Sequence, residues 1–171
     1  MNISIDYPTL YATVARSLSI IGKRSTDDNG NLLFKDITLG SLEKPIVYDF
    51  FATAFIDLST ELSQFVTAEV HTDLGGADTI TLTVTVPDNW NTALTTALTQ
   101  ALKAYCVSYA LYSWFIITAP RISAKYSEDC TRLLAAVIRL IHEKKTPATP
   151  LDGSSHEISP LSISTTVTDY N

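Results

Sequence analysis

The run from Ala104 to Pro120 contains no charged side chain. Apolar residues recur at helical spacing from Leu94 to Phe115, and they fall on nearly all sides of the helix that they predict. A helix of this kind is buried on nearly all sides. The run is shorter than the roughly 20 residues of a membrane-spanning helix, and it contains serines and tyrosines. We therefore predict a long core helix and no membrane association.

Three further segments have the apolar spacing of helices. The first covers residues 8–22 and follows Asp6, whose carboxylate is suited to cap it. The second begins near Ser41 and keeps one broad apolar stripe as far as Phe65. The last begins after Pro120 and ends in basic residues, which suit the negative end of the helix dipole. The predicted fold class is mainly α, a helical bundle of about four helices.

A change of period marks a β-hairpin inserted into this bundle. Residues 67–86 alternate between apolar and polar side chains on both sides of Gly75 and Gly76. Two strands joined by a glycine turn have this pattern. Because an isolated hairpin is marginally stable in water, we expect it to pack on the helices or to join strands of a neighbouring copy.

The chain changes character again near its C-terminus. Residues 147–157 are rich in proline, serine and threonine and are predicted to be a linker. Beyond it, Leu161, Ile163 and Val167 alternate with serine and threonine, as in a strand that has no neighbour in sequence. We therefore divide the chain into a helical domain of residues 1–146 and an extended C-terminal arm within residues 147–171.

The net charge of −6 is distributed unevenly. Residues 121–145 have three more basic than acidic side chains, and the rest of the chain carries −9. An acidic chain with one basic helix gives weak support for nucleic-acid binding. Attraction between acidic and basic flanks of neighbouring copies explains the division, and a solvated helix face is the alternative. Arg132 and Arg139 are therefore candidate subunit-interface residues.

Residues with catalytic or metal-binding chemistry form no recognisable motif. His71, His142 and His156 lie in three different predicted elements, without the spacing of a metal site. Cys106 and Cys130 fall inside apolar helical patterns and are expected to be reduced, buried thiols. The sequence has no phosphate-binding glycine loop before a helix and no nucleophile elbow. We predict no catalytic residue, no metal and no cofactor, and a protein that is not an enzyme.

Residues 84–147 carry a resemblance to a known family. They read Val-Thr-Val-Pro-Asp-Asn-Trp-Asn, then a long helix ending in Tyr-Ala-Leu-Tyr-Ser-Trp-Phe, a break at Ala119-Pro120, and a helix ending in basic residues and Pro147. This pattern resembles the head–tail connector (neck adaptor) proteins of tailed bacteriophages, of the kind found in phages of Bacteroidetes-type hosts. The β-hairpin and the long N-terminal half depart from the best-known siphophage adaptors.

The resemblance implies a structural virion protein that assembles in the host cytoplasm and resides at the neck of the particle. It implies a dodecameric ring that joins the portal protein to other neck or tail proteins and extends the DNA channel, through which DNA passes without specific binding. It also implies a terminal arm that grips a neighbour or the portal, with Leu161, Ile163 and Val167 as its candidate interface residues. The alternatives are a tail-completion or tail-terminator subunit, a soluble non-enzymatic host adaptor module, and a small hydrolase with unrecognised residues.

Overall fold

The computed structural model of the protein describes residues 1–24, 39, 42–69 and 79–144. Within these ranges the elements are, in chain order, β1 (Asn2–Asp6), α1 (Tyr7–Arg24), α2 (Lys44–Glu61), β2 (Val66–Glu69), β3 (Thr79–Val84), a 3₁₀ turn (Thr92–Leu94), α3 (Thr95–Thr118) and α4 (Pro120–His142). The predicted class, mainly α with four helices and an antiparallel hairpin, is confirmed. The predicted linker and arm, residues 147–171, lie outside the described residues.

Helix α3 occupies the centre of the fold, as its charge-free sequence predicts. It packs against α4 most extensively and also against α1 and α2. From Ala101 to Phe115 every residue of α3 is buried or half-buried. Within the described part of the chain, no helix combines the length and the apolarity that crossing a membrane requires.

The hairpin is part of a three-stranded antiparallel sheet in the order β1-β3-β2. The sequence did not predict β1: we expected the hairpin to pack on the helices or to join strands of a neighbouring copy, and its additional strand comes from the same chain. Ile3 and Ile5 of β1 lie opposite Leu82 and Ile80 of β3, and all four side chains are buried. The other face of the sheet carries mainly serine, threonine and asparagine, so one face is apolar and one is polar.

The boundaries of α2 differ from the predicted ones at both ends. Its apolar stripe continues in the sequence to Phe65, but the helix ends at Glu61. The backbone N–H groups of Phe65 and Val66 both donate to the Leu62 carbonyl, each at 2.7 Å, and this turn directs the chain into β2. At the other end, the helix begins at Lys44 rather than near Ser41, with Pro45 in its first turn.

The predicted cap of α1 is confirmed. The Asp6 carboxylate accepts hydrogen bonds from the backbone N–H of Thr9, at 2.8 Å, and from the Thr9 hydroxyl. One of the N–H groups that a helix start leaves without an intrahelical partner is satisfied in this way. Tyr7, at the start of α1, then packs against Phe51 and Phe55 of α2, which fixes the two helices against each other.

Candidate interaction surfaces

Among the described residues, His142, Cys106 and Cys130 belong to no group that could hold a metal ion. His142 is exposed at the end of α4, with its ring 4.8 Å from that of Phe65, whereas His71 and His156 lie outside the described residues. In the described ranges, no group of three histidine, cysteine or acidic side chains converges in a way that could hold a metal ion. The described helices and strands instead present charged surfaces and sheet edges with backbone hydrogen-bonding groups.

The two thiols are unreactive in their surroundings. Cys106 is fully buried in α3, and this burial raises the pKa of its thiol. Cys130 is half-buried in α4, where burial, with the Asp129 carboxylate as a further contribution, raises its pKa to about 11. Because the thiolate is the nucleophilic form, both cysteines are protonated and poor nucleophiles at neutral pH. The prediction of a buried thiol is confirmed for Cys106.

Four cations form one straight line along the outer face of α4. Arg121, Lys125, Arg132 and Arg139 are all exposed, and we call this set the basic stripe; exposed Glu128 lies among them on the same side of the helix, so this side keeps an excess of three positive charges. Steps of four and seven residues return to the same side of an α-helix, so the four positions lie within about 40° of one line that is about 27 Å long. Arg132 Nη2 lies 2.9 Å from Asp129 Oδ1, but the Arg132 side chain is 73% exposed, so this pair is weak.

Helix α2 carries the opposite charge on its outer side. Asp49, Glu61, Ile46 and Ile56 are exposed there and Asp57 beside them is half-buried, and we call these five residues the acidic face. The two isoleucines are 46% and 56% exposed, and no lysine or arginine follows Lys44 in α2. Asp57 lies on the flank that looks toward α3. There, burial and the Asp57 carboxylate raise the pKa of Tyr109 to about 12.

Strand β1 is an edge strand of the sheet in the described part of the chain. Met1 and Val84 exchange backbone hydrogen bonds of 2.6 and 2.8 Å. Paired residues of antiparallel strands alternate between those that exchange hydrogen bonds and those that do not. Asn2 and Ser4 are therefore out of phase with Met1, and their N–H and C=O groups point away from β3. No strand of the described chain covers that edge.

Strand β2 forms the other edge of the sheet, and it is less open. Thr85 N–H donates to the Phe65 carbonyl at 2.7 Å, which sets the phase and turns the backbone groups of Val66 and Ala68 outward. The Val66 N–H already donates to the Leu62 carbonyl at the end of α2. Of the two edges, β1 therefore offers the longer set of free donors and acceptors for an added strand.

The end of α4 is fixed beside the sheet by Trp90. The indole Nε1–H donates to the Leu140 carbonyl at 2.7 Å, and Asn91 N–H donates to the Glu143 carbonyl at 3.3 Å. Trp90 and Lys144 form an isolated antiparallel bridge. The chain therefore continues beyond Lys144 from a defined point next to the loop that follows β3.

An open groove of about 420 Å³ lies between α1 and α3. Its lining consists of Thr9, Leu10, Thr13, Gln100, Lys103, Ala104, Val107 and Ser108. Lys103 is the single charged group of this lining, and the remaining polar groups are uncharged hydroxyls and an amide. No acid, base and nucleophile converge in this groove.

The structure adds two residues to the basic surface that the sequence predicted. Arg132 and Arg139 lie on one exposed line, and Arg121 and Lys125 extend that line to the start of the helix. In the sequence, the spacing of four and seven residues identifies Arg121 and Lys125 as members of this line. The contact of Arg132 and Arg139 with another copy stays a prediction. The other candidate interface residues, Leu161, Ile163 and Val167, lie outside the described residues.

No protein-family model, curated protein or solved structure matches this chain.

Proposed function

We propose that this protein is a structural virion subunit, which forms a ring at the neck of a tailed phage, joins the portal to the tail and extends the DNA channel. The observation that carries the proposal is that opposite charges are exposed on two different helices, with the basic stripe on α4 and the acidic face on α2. A subunit that repeats around a closed ring needs two different, complementary surfaces. The resemblance of residues 84–147, which include α3 and α4, to neck adaptors supplies the biological setting.

The apolar surface agrees with association. Ile117 is 73% exposed, and Ile46, Ile56 and Ile116 are each about half exposed. Charged residues make up only 18% of the chain, so these isoleucines stand among few charges. Burial of such side chains against another subunit adds the apolar contribution that charge attraction alone does not supply.

The open edge of β1 gives the C-terminal arm a place to bind. We assign to the arm residues 158–170, which alternate between apolar and hydroxyl side chains in part of their length. The segment from 145 to 157 spans up to about 40 Å when extended, at ~3.3–3.6 Å per residue. With this segment starting from Lys144, the arm reaches the sheet of a neighbouring copy or a strand edge on the portal, where it adds one strand.

The proposed channel requires little affinity for DNA. Tight binding to duplex DNA depends on lysine and arginine contacts to phosphates and falls steeply with salt. The chain has a net charge of −6, and the basic stripe is needed at the contact between copies in this proposal. DNA therefore passes without specific binding, and isolated assemblies are expected to show no tight, salt-sensitive binding to duplex DNA.

Native mass spectrometry of the full chain, alone and with the portal protein encoded near it, tests the proposal. We expect a closed oligomer of the 18.7 kDa chain, with twelve copies as the implied number, either in the free protein or on its portal. A tail terminator is expected to form a ring that binds tail-tube protein instead of the portal. A protein that stays monomeric under both conditions contradicts the proposal and favours a host adaptor module.

A further inference from the structure

The two charged surfaces lie on two different helices, both of which pack against α3. Helix α3 packs against both α2 and α4, whereas α2 and α4 make at most marginal contact with each other. The acidic face and the basic stripe therefore do not neutralise each other within one copy. Among the described residues, no ion pair joins a member of the acidic face to a member of the basic stripe, and Arg132 pairs with Asp129, inside α4 itself.

We propose that the acidic face of α2 in one copy docks on the basic stripe of α4 in the next copy, which makes this the repeating contact of the ring. The inference rests on the proposed function, because it names the surfaces through which that ring would close. The occupant of each surface is a second copy of this chain, and the contact is head-to-tail because the two surfaces are different. Head-to-tail contacts produce rings when the rotation closes.

The acidic face is shorter than the basic stripe and fits within its length. The basic stripe extends over about 27 Å and the carboxylates from Asp49 to Glu61 over about 18 Å, at ~1.5 Å per residue along a helix. The chemistry of the two faces is complementary as well. Exposed Ile46 and Ile56 stand beside the carboxylates, and the Ala135 position and the exposed Ile138 give α4 an apolar strip beside its cations. Packing of these apolar groups excludes water and strengthens the charge pairs around them.

Two charge-reversed proteins test this contact in the full chain. The first carries Arg132→Glu and Arg139→Glu, and the second carries Asp49→Lys and Glu61→Lys. All four side chains are exposed, so both proteins are expected to keep the helical circular dichroism of the wild type. Each variant alone places like charges on both sides of the contact. The association constant between its copies is expected to fall at least tenfold.

Mixing the two variants gives the decisive result. The acidic α4 of the first protein then faces the basic α2 of the second. The unchanged acidic α2 of the first protein likewise faces the unchanged basic α4 of the second. We expect an equimolar mixture to recover the large oligomer, with the two proteins alternating, as seen by native mass spectrometry. A matched control is Arg16→Glu, compared with Arg139→Glu alone, since Arg16 is an exposed cation on α1 outside both surfaces. This control is expected to assemble like the wild type.

The outcomes separate this contact from the function on which it rests. Loss of assembly in each variant and recovery in the mixture support the contact. If the wild type forms rings and each variant forms them equally well, or if the mixture fails to recover them, the α2–α4 contact is wrong while the ring stands. If the wild type forms no ring, alone or on its portal, the proposed function fails, and this contact fails with it.

Discussion

Replacement of Trp90 by phenylalanine is expected to loosen the end of α4, because the indole N–H donates to a backbone carbonyl that has no donor within the helix. Leu140 lies in the last turn of α4, where carbonyl groups lack intrahelical donors. Trp90 donates to that carbonyl at 2.7 Å and is itself only 5% exposed. Trp90→Phe removes the donor, keeps an aromatic ring and leaves a poorly solvated carbonyl unpaired, which costs about 1–3 kcal/mol.

The expected loss of about 2 kcal/mol corresponds to a decrease in Tm of about 4–8 °C for a chain of this length. Trp114→Phe is the matched control, because the Trp114 indole nitrogen is buried and finds no hydrogen-bond partner among the described residues. That replacement removes an unsatisfied donor, so its Tm is expected to stay the same or to rise. Thermal unfolding followed by far-UV circular dichroism measures both. Equal decreases in Tm for the two variants would show that ring size, not the hydrogen bond, determines the loss.

Three further predictions concern the cap, the thiols and the sheet edge. Asp6→Ala is expected to lower Tm near neutral pH. Hydrogen bonds from the neighbouring threonine lower the pKa of Asp6, so its contribution is present above the unfolded value of 3.8, and the difference between variant and wild type should vanish as pH falls through the folded pKa. A thiol reagent is expected to modify Cys130 slowly in the native protein and Cys106 only on unfolding, and rapid native modification of both would contradict their surroundings. Ser4→Pro removes an outward N–H group from β1, and Ala68→Pro does the same on β2. In the assembled full-length protein, amides of the C-terminal arm should be protected from hydrogen exchange. Ser4→Pro is expected to remove this protection, and Ala68→Pro is expected to keep it. Unchanged protection in Ser4→Pro would exclude the β1 edge as the binding site of the arm.

The helices were the predictable part of the fold, because their signals are local. The charge-free run predicts a buried helix, and Pro120 separates α3 from α4 at a residue that cannot continue the hydrogen-bond ladder. The carboxylate of Asp6 likewise marks the start of α1 within one residue of its position. Each of these features acts within one or two helical turns, so no knowledge of the tertiary structure was needed.

Strand β1 was missed because its identity depends on a distant partner. The strand has five residues with only two apolar side chains, Ile3 and Ile5, and this pattern is too short to distinguish a strand from a loop. Pairing with β3, about eighty residues later in the chain, makes it a strand. The early end of α2 has a similar cause, since Leu62 and Phe65 keep the apolar spacing while the backbone already turns toward β2.

The charged surfaces were partly predictable. The excess of basic residues in the fourth helix is visible in the sequence, and it led to Arg132 and Arg139. The helical spacing already places Asp49, Asp57 and Glu61 off the apolar stripe of the second helix, but it does not distinguish them from the other negative charges of the chain as an interface. The packing adds what the sequence does not show: α2 and α4 both contact α3 and make at most marginal contact with each other.

End-on images of the purified assembly by electron microscopy test the central claim most directly. The account predicts a closed ring of identical subunits around an open channel, formed by the full chain alone or on its portal, and dissociated as salt screens the contact between copies. Particles of one copy, a closed two-fold dimer, or a compact oligomer without a channel would contradict it.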